Sequence, residues 1–154
     1  MLCYCNSSKD FSACCQPLLA GHKPASCAEA LMRSRYSAYV TNAYSYILQT
    51  YSIQGRGSLT EAAVAADGKN TTWIRLQIVS IPSDSQVEFK AWYAHNRHLF
   101  LMHETSSFII ENGEWKYHAG IIHADTGTYK PRRNEQCICG SGKKYKQCCL
   151  SQYK

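Results

Sequence analysis

Residues 71–123, TTWIRLQIVSIPSDSQVEFKAWYAHNRHLFLMHETSSFIIENGEWKYHAGIIH, decide the fold. The period here is two, and β-branched and aromatic side chains dominate, as expected of half-buried strands. Turn signals divide the stretch into Trp73–Ile81, Val87–His95, His98–Glu111 and Glu114–His123, which predicts four antiparallel strands. Asn112-Gly113 is a strong two-residue hairpin turn and Asn96-Arg97 a weaker one, because such turns need positive φ at both central residues.

Upstream the period becomes helical. Gln16–Pro24 reads as a linker with Pro17, Gly21 and Pro24, and Ser26-x-x-Glu29 as a capping box opening a helix. Met32, Tyr36, Tyr39, Val40, Ala43 and Ile47 recur at three- and four-residue intervals, an apolar stripe that should face the sheet. Thr41-Asn42 offers a break, so the spacing predicts helices over 27–41 and 43–51, ended by Gly55 and Gly57. Leu59–Ala66 reads as a further short helix closed by Asp67-Gly68. Helices followed by a meander give an α+β fold, with helices covering one face of a curled antiparallel sheet.

Such a sheet can enclose a cavity. Tyr36, Trp73, Tyr93, Glu104, Trp115 and Tyr117 are the residues whose alternation can turn them inward. Glu104, Ser106 and Phe108 share one face of their strand, so an inward Glu104 would be a buried carboxylate needing a partner or carrying a raised pKa. Arg33 or Arg35 could supply that partner as a structural ion pair; a ligand-binding role is the alternative.

At 154 residues there is room for one domain with a sizeable core and small appendages, here 1–24, 25–128 and 129–154. Apolar residues make up 45% and charged residues 18%, and no apolar run approaches the roughly 18 needed to span a bilayer. Met1–Phe11 lacks the basic start and apolar stretch of a secretory signal, so a soluble, cytoplasmic protein is expected. Nine cysteines in a reducing compartment point to metal before disulfides.

Eight of them form one pattern used twice: Cys3-x-Cys5 with Cys14-Cys15, and Cys137-x-Cys139 with Cys148-Cys149, at a constant offset of 134. Ser7 matches Ser141, Lys9 matches Lys143, and Phe11 matches Tyr145. Four thiols close a tetrahedral structural zinc site and leave no position for substrate. Two zinc ions are therefore expected, with disulfides and a redox dithiol or copper site as the competing readings. Gly140-Ser141-Gly142 tolerates positive φ more readily than Asn6-Ser7-Ser8, which predicts a looser amino-terminal site. Cys27 stands outside the pattern and reads as a buried, inert thiol.

The net charge of +6 is concentrated at the carboxy terminus, where Lys130, Arg132, Arg133, Lys143, Lys144, Lys146 and Lys154 face only Glu135. Each loaded quartet would carry about −2, lowering the total to about +2 and leaving the tail basic. Lys143, Lys144 and Lys146 on a metal-braced knob suit an acidic protein surface or RNA phosphate; a solvated loop is the plain alternative. No HExxH pair, nucleophile signature or phosphate loop occurs, and no catalytic residue is named.

Cys137-Ile-Cys-Gly-Ser-Gly-Lys-Lys-Tyr-Lys-Gln-Cys-Cys149 closely resembles the SEC-C motif, the zinc-binding tail of the preprotein translocase motor SecA. With the second copy at 3–15 and Glu29-Ala-Leu-Met-Arg-Ser-Arg-Tyr-Ser-Ala-Tyr39 between them, the chain resembles the bacterial YchJ family along nearly its whole length. That resemblance implies a central cone similar to nuclear transport factor 2 (NTF2), flanked by two zinc knuckles. It implies zinc ligands Cys137, Cys139, Cys148 and Cys149, and by the weaker copy Cys3, Cys5, Cys14 and Cys15. In SecA the similar tail engages the acidic chaperone SecB and ribosomes, which implies a chaperone, translocase component or ribosome as partner here. Two rival expectations remain: a small-molecule binder or enzyme working in the cone, and RNA binding by the basic tail.

Overall fold

The period-two stretch folds as β1 (Thr71–Ser83), β2 (Gln86–His95), β3 (His98–Glu111) and β4 (Glu114–Ile122), an antiparallel meander in that order, in a computed structural model that describes residues 1–153. Lys154, counted above with the basic tail, lies outside the described residues. Both hairpin turns form as expected, with φ of 50° and 72° at Asn96 and Arg97 and 50° and 77° at Asn112 and Gly113. Register shifts at Trp73/Arg75 and Ile78/Ser80 in β1, and at His118 of β4 opposite Ser107/Phe108, mark bulges, which bend strands and curl the sheet. A short fifth strand, β5 (Gly127–Thr128), pairs with β3 at Phe100 and Leu101 beyond the end of β4. Two residues are too few for a periodic signal.

The helices are α1 (Gln16–Leu19), α2 (Ala28–Val40), α3 (Tyr44–Gln49), α4 (Ile53–Arg56) and α5 (Glu61–Gly68). The break between α2 and α3 falls where expected, with Asn42 at φ 59°. Four local expectations need correction. Gln16–Pro24 is not all linker, because Gln16–Leu19 form α1 with Pro17 in its first turn and Leu18 buried. The cap of α2 is Cys27, whose sulfur accepts from the Ala30 N–H at 3.4 Å, so the Ser26/Glu29 box is displaced by one residue. Glu29 instead pairs with Arg33 one turn on. Cys27 is accordingly exposed at the helix start rather than buried. The helix expected at Leu59 begins at Glu61, because Thr60 caps it through the Ala63 N–H.

α2 lies at the centre of the molecule. Its expected stripe faces the sheet through Met32 and Tyr36, yet Ser34, Arg35 and Ser37 are buried as well. Ser34 is 2.7 Å from the Tyr46 hydroxyl of α3, and Ser37 faces Cys3 of the amino-terminal knuckle at 3.7 Å. The helix is thus enclosed by sheet, α3 and knuckle. The outer face of the sheet is covered too: Trp92, Ala94, Leu99 and Leu101 pack with Cys137, Ile138, Tyr145 and Cys149 of the carboxy-terminal knuckle. No helix among the described residues is long and apolar enough to cross a membrane.

Candidate functional site

The cysteines of each quartet converge, with one sulfur from each residue within 4.8 Å of the others. Both loops fold by the same bonds. The Cys3 N–H donates to the Lys9 carbonyl at 2.7 Å and the Cys137 N–H to that of Lys143 at 2.8 Å. A 3₁₀ turn, Phe11–Ala13 or Tyr145–Gln147, then returns the chain so that Cys14 and Cys148 each bond back to the aromatic residue at 3.1 Å. The matched serines earn their place in the same way, Ser7 lying 3.3 Å from the Cys14 sulfur and Ser141 3.3 Å from that of Cys148. The duplication read in the sequence is therefore a duplication of structure.

Tetrahedral zinc thiolates with bonds of about 2.3 Å place their sulfurs roughly 3.8 Å apart. The Cys5–Cys14, Cys14–Cys15 and Cys139–Cys148 sulfurs lie 3.7, 3.8 and 3.5 Å apart. All nine cysteines are unpaired. Both quartets can hold a metal ion, and their all-thiol donor sets are consistent with zinc. Within each quartet the thiols are unequal: Cys15 is raised by its hydrogen bond to Cys5 and by burial, and Cys14 and Cys149 are raised chiefly by burial, while one thiol of each set is lowered. Hydrogen bonding from Cys15, helped by Ser7 and Cys3, brings the Cys5 thiol down to about 4 against the opposing effect of burial. At Cys139 burial is likewise opposed, by Ser141 and the Cys148 and Cys137 thiols, and the value falls to about 6.

The turn φ values are 59° and 63° at Asn6 and Ser8, against 79° and 77° at Gly140 and Gly142. The strain expected in the first copy is present. The knuckle is also anchored to the domain, where Asn6 accepts the Leu76 N–H of β1 at 2.9 Å and Arg33 donates to the Cys5 carbonyl at 2.8 Å. Cys3, Cys5 and Cys15 belong to the main core with Leu31, Tyr36, Leu76 and Phe89, and Cys5 is 0% exposed. Replacing the exposed Ser8 by Gly should raise stability by about 0.5–1 kcal/mol, since a left-handed L-residue costs about 1–2 kcal/mol and Gly returns part of that as entropy. Thermal denaturation reads the shift; a lowered midpoint would contradict it. Asn6→Gly should lower stability, because it orphans the Leu76 N–H.

Between α2 and the concave face lies a cavity of about 320 Å³. Tyr36, Trp73, Tyr93, Glu104 and Tyr117 line it as expected; Trp115 does not, and packs instead at the margin of the core. Its register partner on the sheet is Ile110, two residues past Phe108, and neither of these lines the cavity. Glu104 is buried, but neither arginine partners it. Arg33 is taken by Glu29 and Cys5, and Arg35 donates to the Ile47 carbonyl and the Thr50 hydroxyl at 2.9 and 2.6 Å. Glu104 Oε1 accepts instead from Tyr117 at 2.6 Å and Ser106 at 2.8 Å. Gly120 faces this carboxylate so closely that a Cβ there would collide with it. Burial raises the tyrosines: Tyr39 is pushed up to about 12, and Tyr36 and Tyr117 are raised as well. The walls are thus neutral π faces and hydroxyls. Tyr39 and Tyr51 also line it; Tyr39 belongs to the Tyr36 stripe, and Tyr51 follows Ile47 by four residues, although α3 ends before it at Gln49.

A polar cluster on the outer face also escaped the sequence. His103 lies between Asp125 and Glu88, 2.6 and 2.8 Å from their oxygens, and stacks on His123 at 3.9 Å. Glu88 is held below its ordinary value first by the Ser80 hydroxyl and then by His103, and Asp125 by His103. Two strands and a loop contribute its members, so no spacing could reveal it.

The family profile described as YchJ, middle NTF2-like domain, matches residues 27–120, and the SEC-C motif matches residues 133–151. The chain is 35% identical to a UPF0225 protein of Vibrio cholerae over 154 residues, covering 97% of this chain and 99% of that one. It is 37% identical to a UPF0225 protein of Shewanella sp. strain MR-4, covering 96% and 95%. The solution structure of a SEC-C motif containing protein from Rhodopseudomonas palustris superposes with a TM-score of 0.72 at 32% identity, covering 79% of this chain and 98% of that one. The crystal structure of a SEC-C motif containing protein from Psychrobacter arcticus gives 0.64 at 28% identity, covering 98% and 96%.

Proposed function

Because the chain belongs to the YchJ family, with an NTF2-like middle domain and a SEC-C motif, we propose that it is a cytoplasmic zinc protein whose carboxy-terminal knuckle docks an acidic partner. Each quartet holds one structural zinc. The partner class is a chaperone such as SecB, a translocase component or the ribosome, in protein export or biogenesis.

The observation carrying this reading is the placement of Lys143, Lys144 and Lys146. All three are exposed, and none forms an ion pair among the described residues. Their backbone is fixed: the Lys143 carbonyl accepts from Cys137, Lys144 bridges to Gln136, and the Lys146 N–H donates to Arg133 at 3.0 Å. A rigid cationic surface loses little entropy on docking. The amino-terminal copy has Lys9, Asp10 and Ser12 at the same places, and Asp10 is spent on the chain's own amino group at 3.3 Å. One copy is built into the core and the other displays charge. RNA is less well served, since Tyr145 is buried and the tail offers little for base stacking.

Charge reversal by Lys143→Glu, Lys144→Glu and Lys146→Glu should abolish capture of an acidic partner while leaving metal content unchanged, with capture by the natural chain weakening as salt rises. An identical set of partners captured by both proteins would remove the docking role. Nuclease-sensitive capture would move the assignment to RNA.

A further inference from the structure

Glu104 is 7% exposed, yet only one of its oxygens is occupied. Oε1 takes both hydrogen bonds, from Tyr117 and Ser106, and Oε2 receives none from any described residue. The side-chain polar atom fully sealed without a partner among the described residues is Trp92 Nε1. Oε2 therefore keeps accessible surface, and the space it meets is the cavity that Glu104 lines. A carboxylate drawn this far from water is costly unless its charge and lone pairs are met.

The cavity's own cation does not meet them. The Arg35 guanidinium lies 4.5 Å from the centre of the Tyr51 ring and 4.8 Å from that of Tyr117, while its Nη1 is committed to Ile47 and Thr50. Around Glu104 stand Tyr36, Tyr39, Trp73 and Tyr93, with Trp73 5.0 to 5.7 Å from the other three rings, and exposed Asp67 adds a second negative charge to the lining. Neutral aromatic faces beside a carboxylate attract positively charged nitrogen, by quadrupole and by charge. About 320 Å³ is the lower end of the range for small-molecule sites, room for a charged nitrogen and one apolar body.

We propose that this cavity binds a small organic cation, an alkyl- or arylalkylammonium, with its nitrogen on Glu104 Oε2 and its apolar part against the tyrosine and tryptophan faces. The site lies apart from the carboxy-terminal knuckle, on the other face of the sheet, and its ligand would be held inside the cone while the lysine-bearing surface stays free.

The test is isothermal titration of the full-length, metal-loaded protein with 2-phenylethylammonium, its neutral analogue 2-phenylethanol and its anionic analogue 3-phenylpropionate, with tetramethylammonium as a charge-only probe. The arylalkylammonium should bind saturably and about tenfold or more tighter than the alcohol, the size expected of one desolvated charged contact. Glu104→Gln keeps an acceptor for Ser106 and Tyr117 while removing the charge, and should erase that preference. Tighter binding of the carboxylate would overturn the proposal and transfer recognition to Arg35. Equal binding of all three phenyl compounds, or none by either ammonium, would also overturn it. If Glu104→Gln does not fold, the charge series on the natural chain decides alone.

Discussion

Replacing Cys5 by Ser should unfold the central domain, whereas replacing Cys149 by Ser should leave that domain folded and remove only the carboxy-terminal metal. The asymmetry follows from where each quartet sits. Cys3, Cys5 and Cys15 share the core of α2 and the sheet, and the knuckle is tied in through Leu76 and Arg33. With zinc bound, losing one ligand forfeits binding free energy on the order of 10 kcal/mol, as large as the whole stability of an ordinary domain. The carboxy-terminal knuckle instead lies on the outer face of the sheet, over Trp92, Leu99 and Leu101, and its release uncovers that patch without entering the core. Elemental analysis should give two ions in the natural chain and one in Cys149→Ser. Near-ultraviolet circular dichroism should retain the aromatic signal of the cone in Cys149→Ser and lose it in Cys5→Ser. Undiminished metal in both variants would end the metal assignment; a folded, cooperative Cys5→Ser protein would show that the amino-terminal knuckle is an appendage.

How far the sequence could be read depended on the kind of signal. The strands and both hairpins were legible because alternation and the Asn112-Gly113 and Asn96-Arg97 turns act locally. The quartets were legible because duplication repeats a spacing. Burial of polar residues left less of a trace: Ser34 and Ser37 interrupt the apolar stripe of α2, although sheet, α3 and knuckle enclose them, and Arg35, which the sequence offered to Glu104, is buried against the end of α3 instead. Glu104 was correctly placed on the inner face by parity with Phe108, but parity says nothing about which residue reaches it across a sheet. The partner came from Tyr117 on the neighbouring strand, and the space from Gly120 beside it. The capping error at Ser26 has the same root, because a thiol is a weak acceptor and local propensity does not expect Cys27 to cap a helix.

Arg35 exemplifies what composition conceals, and Arg35→Ala should cost about 2–4 kcal/mol. Its guanidinium, in a residue 4% exposed, caps the last turn of α3 by donating to the Ile47 carbonyl, one of the groups a helix leaves unpaired at its carboxy end. It also donates to Thr50, whose carbonyl accepts from Tyr117 of β4 while the Ser52 N–H returns to Tyr117 at 2.8 Å. One side chain thus pins the end of α3 to the strand that walls the cavity. Removing it leaves the buried Ile47 carbonyl only the Thr50 hydroxyl at 3.1 Å, which it shares with the Tyr46 carbonyl, a loss of about 1–3 kcal/mol; it also forfeits two cation–π contacts and leaves a void. Arg35→Met refills the void and discharges a buried cation, so it should recover roughly half of the loss. Arg35→Lys should fall between them, because an ammonium cannot both bridge Ile47 to Thr50 and lie flat on two tyrosine rings. Chemical denaturation measures all three. An Arg35→Ala protein within about 0.5 kcal/mol of the natural chain, the scatter of inconsequential surface changes, would mean that the segment from Thr50 to Ser52 holds to β4 without it.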